Sequence, residues 1–184
     1  MKIYRLESDS DDDGNSPYET LCLGTGGASF DFDMTRKRED AARWIQNPLK
    51  GQWCGEGLPL ADHPDVAVAD EILSQRAVDV LRDLLDLQRG DLYPVDVRDS
   101  ETPYWIYRIW ERVNVLNMPI PDVRVGHVRN PVFLPNVTPP VIFKNMHESG
   151  LWVTHGFVDR VISAGLTGFA FEYVGDTDPD ATCP

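Results

Sequence analysis

"WVTHGFVDRVISAGLTGFAFEYV", residues 152–174, places a helix, a stop and a strand in one continuous line. Thr154 is a candidate N-cap, whose hydroxyl would accept a bond from a first-turn N–H. Phe157, Val158, Val161 and Ile162 then recur at helical spacing and form an apolar stripe. Gly165 can take the left-handed conformation that ends a helix. Beyond it "LTGFAFEYV" alternates, with Phe169, Phe171 and Tyr173 on one face of a strand. The same plan occurs upstream, as an internal echo. Ser74 precedes "QRAVDVLRDLLDL" as a candidate cap, and Ala77, Val78, Leu81, Leu84 and Leu85 form the stripe. Arg76, Asp79, Arg82, Asp83 and Asp86 fall on the opposite side. Gly90 closes that unit and "DLYPVDV" follows as a strand.

Working outward, "KIYRL" at 2–6 and "YETLCL" at 18–23 read as strands, and "FDFDM" at 30–34 sets Phe30 and Phe32 on one strand face. "PYWIYRIWERV" at 103–113 alternates Trp105, Tyr107 and Ile109 with Tyr104, Ile106 and Arg108, a β-branched and aromatic composition that suits a strand. "NPVFLPNVTPPVIFK" supplies two more short strands, broken by Pro135 and by Pro139–Pro140. "TRKREDAARWI" at 35–45 fits a helix capped by Thr35, with Ala42 and Ile45 on its apolar side. The expected fold is α+β, a mainly antiparallel sheet or sheets with a few short helices packed against them. A single domain over 1–184 is expected, with a flexible acidic loop at about 7–17.

The totals narrow the function. A chain of 184 residues, 42% hydrophobic, can bury about 70% of the surface its unfolded form exposes and needs no metal or disulfide to hold a core. Thirty acidic residues against 17 Lys and Arg leave a formal net charge of −13. Such a surface disfavours nucleic acid, whose recognition needs Lys and Arg on phosphates, and it disfavours anionic membranes. It attracts a basic partner and speeds the encounter. No run approaches the length of a membrane span, and "MKIYRLESDS" lacks an apolar targeting segment, so a cytoplasmic protein is expected. Cys22, Cys54 and Cys183 are odd in number and far apart, and are expected as isolated thiols.

A search for chemistry finds no catalytic constellation. "GTGGAS" at 24–29 lacks the lysine of a phosphate loop. His63, His127, His147 and His155 show no metalloprotease spacing. Cys54 in "WCGEG" has acidic or neutral neighbours, which raise a thiol pKa and leave it inert. No serine sits in a nucleophile elbow. "DSDDD" alternates Asp9, Asp11 and Asp13, with Gly14 at the sixth position, but places Thr20 where a calcium loop needs its closing glutamate. Trp105, Trp110, Tyr104 and Tyr107 read as core packing, not as a base-stacking platform. No catalytic residue, cofactor or metal is therefore expected.

"VIFKNMHESGLWVTHGFVDRVISAGLTGFAFEYV", residues 141–174, resembles the closing segment of a bacterial polymorphic-toxin immunity family typified by a myxobacterial protein and formerly described as a domain of unknown function. The matching features are Ile142–Phe143, then Leu151–Trp152–Val153–Thr154, the Phe157–Val158 helix, and "AGLTGFAF" at 164–171. Upstream, "ILSQRAVDVLRDLL", "YWIYRIWERVNVLN" and "MKIYRL" fall in the expected order. The likeness covers most of residues 66–174 and is sparse over 7–65. It implies a non-enzymatic role: binding a toxin made by the same cell and blocking it. Catalytic residues do not carry over from it.

The expected interface residues are Asp11, Asp12, Asp13, Asp31, Asp33, Glu56, Asp62 and Asp65, all in regions expected to be exposed. The expected partner is a cognate toxin, basic and acting in the cytoplasm, such as a nuclease. The alternatives are a hydrolytic enzyme with a dispersed His and carboxylate site, which a deep pocket beside His127 or His147 would mark, and a structural adaptor of a secretion complex.

Overall fold

The computed structural model describes residues 1–10, 15–23, 38, 48–54, 57–65, 71–120 and 127–177. The "GTGGAS" turn, the "FDFDM" strand and the 35–45 helix, apart from Arg38, lie outside them. The fold is α+β, with two five-stranded sheets that are mostly antiparallel. The strands are β1 (Lys2–Ser8), β2 (Leu21–Leu23), β3 (Leu49–Trp53), β4 (Glu71–Ser74), β5 (Gly90–Val97), β6 (Tyr104–Ile109), β7 (Arg112–Val113), β8 (Ile142–Asn145), β9 (Leu151–Thr154) and β10 (Phe169–Asp176). The helices are α1 (Gln75–Leu81) and α2 (His155–Ser163). The first sheet has the order β10-β1-β9-β8-β7, the second β2-β3-β5-β6-β4.

The echo seen in the sequence is a topological repeat. Strand β1 pairs antiparallel with both β9 and β10, so these two run parallel with β1 between them, and α2 makes the crossover. Strand β6 pairs antiparallel with both β4 and β5, and α1 makes the matching crossover. Each unit is a split β–α–β, because parallel strands need a long connection and a helix supplies it.

Period-two alternation then assigns the layers. Tyr4 and Leu6 of β1 and Leu151 and Val153 of β9 meet Leu73 of β4 and Tyr107 and Ile109 of β6 in one central cluster. Ala77, Val78 and Leu81 of α1 and Phe157, Val158 and Val161 of α2 belong to the same cluster, so the helices are packed between the sheets. The opposite strand faces build two outer clusters. One gathers Ile72, Tyr93, Val95, Tyr104 and Ile106; the other gathers Ile3, Leu116, Phe143 and Trp152. Both alternating sets of β6 are thus buried, and Tyr104 and Tyr107 pack in cores.

Local signals decide the ends. Ser74 caps α1, its Oγ accepting from Ala77 N–H at 3.1 Å. Gly165 has φ +59°. Its N–H bonds Ile162 O and the Leu166 N–H bonds Val161 O, the paired bonds of a Schellman stop.

Several expectations are corrected. Thr154 stands at the N-cap of α2, as expected, but its side chain makes no cap bond. Ile162 is 68% exposed, since a helix of this length buries a stripe no wider than Phe157, Val158 and Val161. Gly90 opens β5 instead of closing α1; a Cβ there would meet Arg108 O at 2.9 Å. The 103–113 run divides into β6 and β7, and the first strand expected after Asn130 is a single bridge, Leu116 to Phe133. Strand β1 continues to Ser8, into the segment read as loop. Cys22 and Cys54 are not isolated thiols. Strands β2 and β3 pair in a register that sets Cys22 opposite Gln52, and the two cysteines, 5.9 Å apart at Cα, form a disulfide. Cys183 lies outside the described residues.

Candidate functional site

Of the eight acidic residues expected at an interface, Asp11, Asp12, Asp13, Asp31, Asp33 and Glu56 lie outside the described residues. Asp65 is half-buried, and its carbonyl accepts the Leu21 N–H. Asp62 is the correction: it is only 7% exposed. Its carboxylate accepts from Ser74 Oγ at 2.7 Å, Arg76 Nη1 at 2.7 Å and Thr167 N at 3.1 Å. Such a group ties α1 to the approach to β10 and is occupied by its own chain. No local signal marks it, because Thr167 is 105 residues away.

The acidic surface lies elsewhere. Asp99 and Glu101, in the turn between β5 and β6, and Asp159 on α2 are exposed, and none of the three has an ion pair among the described residues. Five cations are engaged internally, whereas Lys2, Arg82, Arg98 and Arg129 are exposed with no ion pair among the described residues. Arg38 holds Asp91, Lys50 holds Asp96, Arg76 holds Asp62, Arg89 holds Asp86, and Arg160 holds Asp83. Two of these also join the helices: Arg76 donates to Ala164 O and Gly165 O, and Arg160 donates to Val80 O. Intramolecular pairing of this kind leaves the surplus acids facing outward.

Sequence reading missed a buried polar network behind the first sheet. Arg5, on the β1 face that carries Ile3, donates from Nε to Glu148 Oε1 at 2.8 Å and from Nη2 to Glu148 Oε2 at 3.1 Å. Glu148 also accepts from the Val128 N–H at 2.7 Å and from Trp152 Nε1. Burial pushes its carboxyl up, but these donors together hold it below the ordinary carboxylate range. The available signal was an arginine at an inward position of an otherwise apolar strand.

His63 forms a second such point. Its Nδ1 faces Gly168 O at 3.0 Å, its Nε2 faces Glu71 Oε2 at 2.5 Å, and its ring stacks on Phe169. Burial pushes the imidazole pKa down, yet the Glu71 hydrogen bond and charge, with the Gly168 carbonyl, raise it overall.

The histidines named for an enzyme reading go separate ways. His147 is buried against Asn145 Oδ1 and Met118 O. His127 is exposed and approaches Glu172 and Glu7, with the ligand atoms of all three within 4.8 Å of one another. A groove of about 560 Å³ opens between the α1 end and β7. It is lined by Leu84, Leu85, Val113 and Val141 with Asp83, Asp86 and Arg89, and by neither histidine. No helix among the described residues is long and apolar enough to cross a membrane. Comparison with protein-family models and with curated proteins gives no match for this chain.

Proposed function

We propose that this chain is a non-catalytic inhibitor of the immunity type, which binds and neutralises a basic cognate toxin such as a nuclease. The observation that carries the reading is the direction of the charge surplus. The net charge is −13, and Asp99, Glu101 and Asp159 stand exposed while Arg38, Lys50, Arg76, Arg89 and Arg160 are engaged by the chain's own acids. A surface of that sign competes with phosphate for the Lys and Arg groups of a nucleic-acid-acting toxin. It also steers the encounter, which makes association salt-sensitive. The resemblance of residues 66–174 to an immunity family points the same way. The two split β–α–β units are scaffold in this reading, and the acids on their turns and helix faces make the contact.

The test is co-expression with the toxin encoded beside this chain's gene. Rescue of growth is expected, and growth arrest unchanged by co-expression removes that toxin as the partner. With a purified pair, Asp99→Asn with Glu101→Gln should slow association several-fold at low salt and have little effect at high salt. An association rate indifferent to both salt and these substitutions would refute the electrostatic basis.

A further inference from the structure

We infer that Glu7, His127 and Glu172 form a site for a divalent transition-metal cation of the zinc class. Three separate chain segments bring them together. Glu7 lies two residues beyond Arg5 on β1, and so on the same strand face. Glu172 sits opposite Arg5 on β10. His127 enters from the segment before Val128, with Nδ1 at 3.8 Å from Glu172 Oε2.

Charge makes the place cation-seeking. Among the described residues, Arg5 is the one guanidinium in contact with these groups, and it faces Glu148 as well as Glu172. With Glu7 added, three carboxylates surround one cation among the described residues, a local surplus of two negative charges. Arg5 does not block the site. Two of its nitrogens are fixed on Glu148, and the third holds Glu172 through Oε2. Oε1 of Glu172 has no hydrogen bond among the described residues. A carboxylate oriented by a hydrogen bond on one oxygen is the usual arrangement of a metal ligand.

The donor set selects the ion. Imidazole with carboxylate oxygens suits zinc, nickel or copper, whereas magnesium and calcium prefer oxygen alone. Ligand atoms within 4.8 Å of one another need a contraction of about 1 Å or more to reach metal–ligand bonds of about 2.0–2.2 Å. His127 and Glu172 are about half exposed as side chains and have room for that movement. Three protein ligands leave a fourth position for water or for a group from a partner. This inference does not depend on the inhibitor reading.

The experiment is calorimetric titration of the tag-free full chain with zinc chloride. A single saturable site is expected. His127→Ala and Glu7→Gln should each weaken it about ten-fold or more, and His155→Ala should leave it unchanged. Magnesium should not displace the zinc. Both test residues lie outside the apolar clusters, so an unchanged melting temperature of the metal-free variants separates lost binding from lost folding. Absence of zinc binding, or zinc binding of equal affinity in His127→Ala, overturns the site.

Discussion

His63 and Glu71 meet at 2.5 Å in the interior, and the other imidazole nitrogen of His63 faces the Gly168 carbonyl at 3.0 Å. Both ring nitrogens therefore face acceptors. A neutral imidazole donates from one nitrogen only, so the imidazolium is the form that satisfies both partners. Its pKa is raised in the folded protein. The resulting stability is fully present below the ordinary imidazole value and is lost as pH rises through the folded value. Melting temperature should fall over that interval. In Glu71→Gln the fall should disappear, and stability should drop by about 1.5–3 kcal/mol at lower pH. A flat pH profile in the parent chain would contradict the pairing.

Glu148 has the opposite sign. Burial pushes its carboxyl up, and Arg5, the Val128 N–H and Trp152 hold it below the ordinary range. Its contribution is present above the ordinary carboxylate value and is lost as pH falls through the lowered one. Glu148→Gln leaves Arg5, itself 4% exposed, without its main counter-charge. The expected cost is about 3–5 kcal/mol, read as a shift in the urea midpoint. A loss under about 1 kcal/mol, the value of an exposed pair, would mean that water reaches the guanidinium.

Two left-handed glycines should respond differently to the same methyl group. At Gly165, with φ +59°, an added Cβ meets nothing within 4 Å, so Gly165→Ala should cost only the conformational term, about 1–2 kcal/mol. At Gly168, with φ +83°, a Cβ would lie 2.2 Å from His63 O and 2.7 Å from Ala61 Cβ. The obstacle there is backbone that also carries the His63 contacts. Gly168→Ala should cost about 3 kcal/mol or more, and equal costs at the two sites would refute this contrast.

The Cys22–Cys54 bond spans 32 positions. By the chain-entropy relation a loop of that size contributes about 3.5–4 kcal/mol. Cys54→Ser should lower the stability of the oxidised protein by that order and leave the reduced protein little changed. Thiol titration of the denatured, unreduced chain should find Cys183 alone reactive. The same titration on freshly lysed cells reads the compartment, since such bonds persist where conditions are oxidising.

Features carried by near neighbours in the chain were legible in advance. Ala77, Val78 and Leu81 of α1, Phe157, Val158 and Val161 of α2, the Gly165 stop, the Ser74 cap and the alternation along β6 and β10 each need fewer than about a dozen residues to define them, although α1 ends at Leu81, before Leu84 and Leu85. Features fixed by strand pairing were not. Cys22 and Cys54 read as solitary until β2 and β3 are set side by side. Asp62 reads as a surface charge because Thr167 is distant, and the counter-charge of Glu148 is hidden because Arg5 is 143 residues away. Register and long-range pairing decide all three, and no periodicity encodes them.

Strand β1 is an interior strand of its sheet, between β9 and β10. Its partners, Leu151–Thr154 and Phe169–Asp176, are synthesised long after residues 2–8 have left the ribosome. During translation β1 waits with both edges open, while β4, α1, β5 and β6, which are close in sequence, can assemble first. Distant pairing of this sort slows folding and exposes unpaired strand edges to association. Shielding of the nascent chain until Leu151–Asp176 has emerged would offset that exposure.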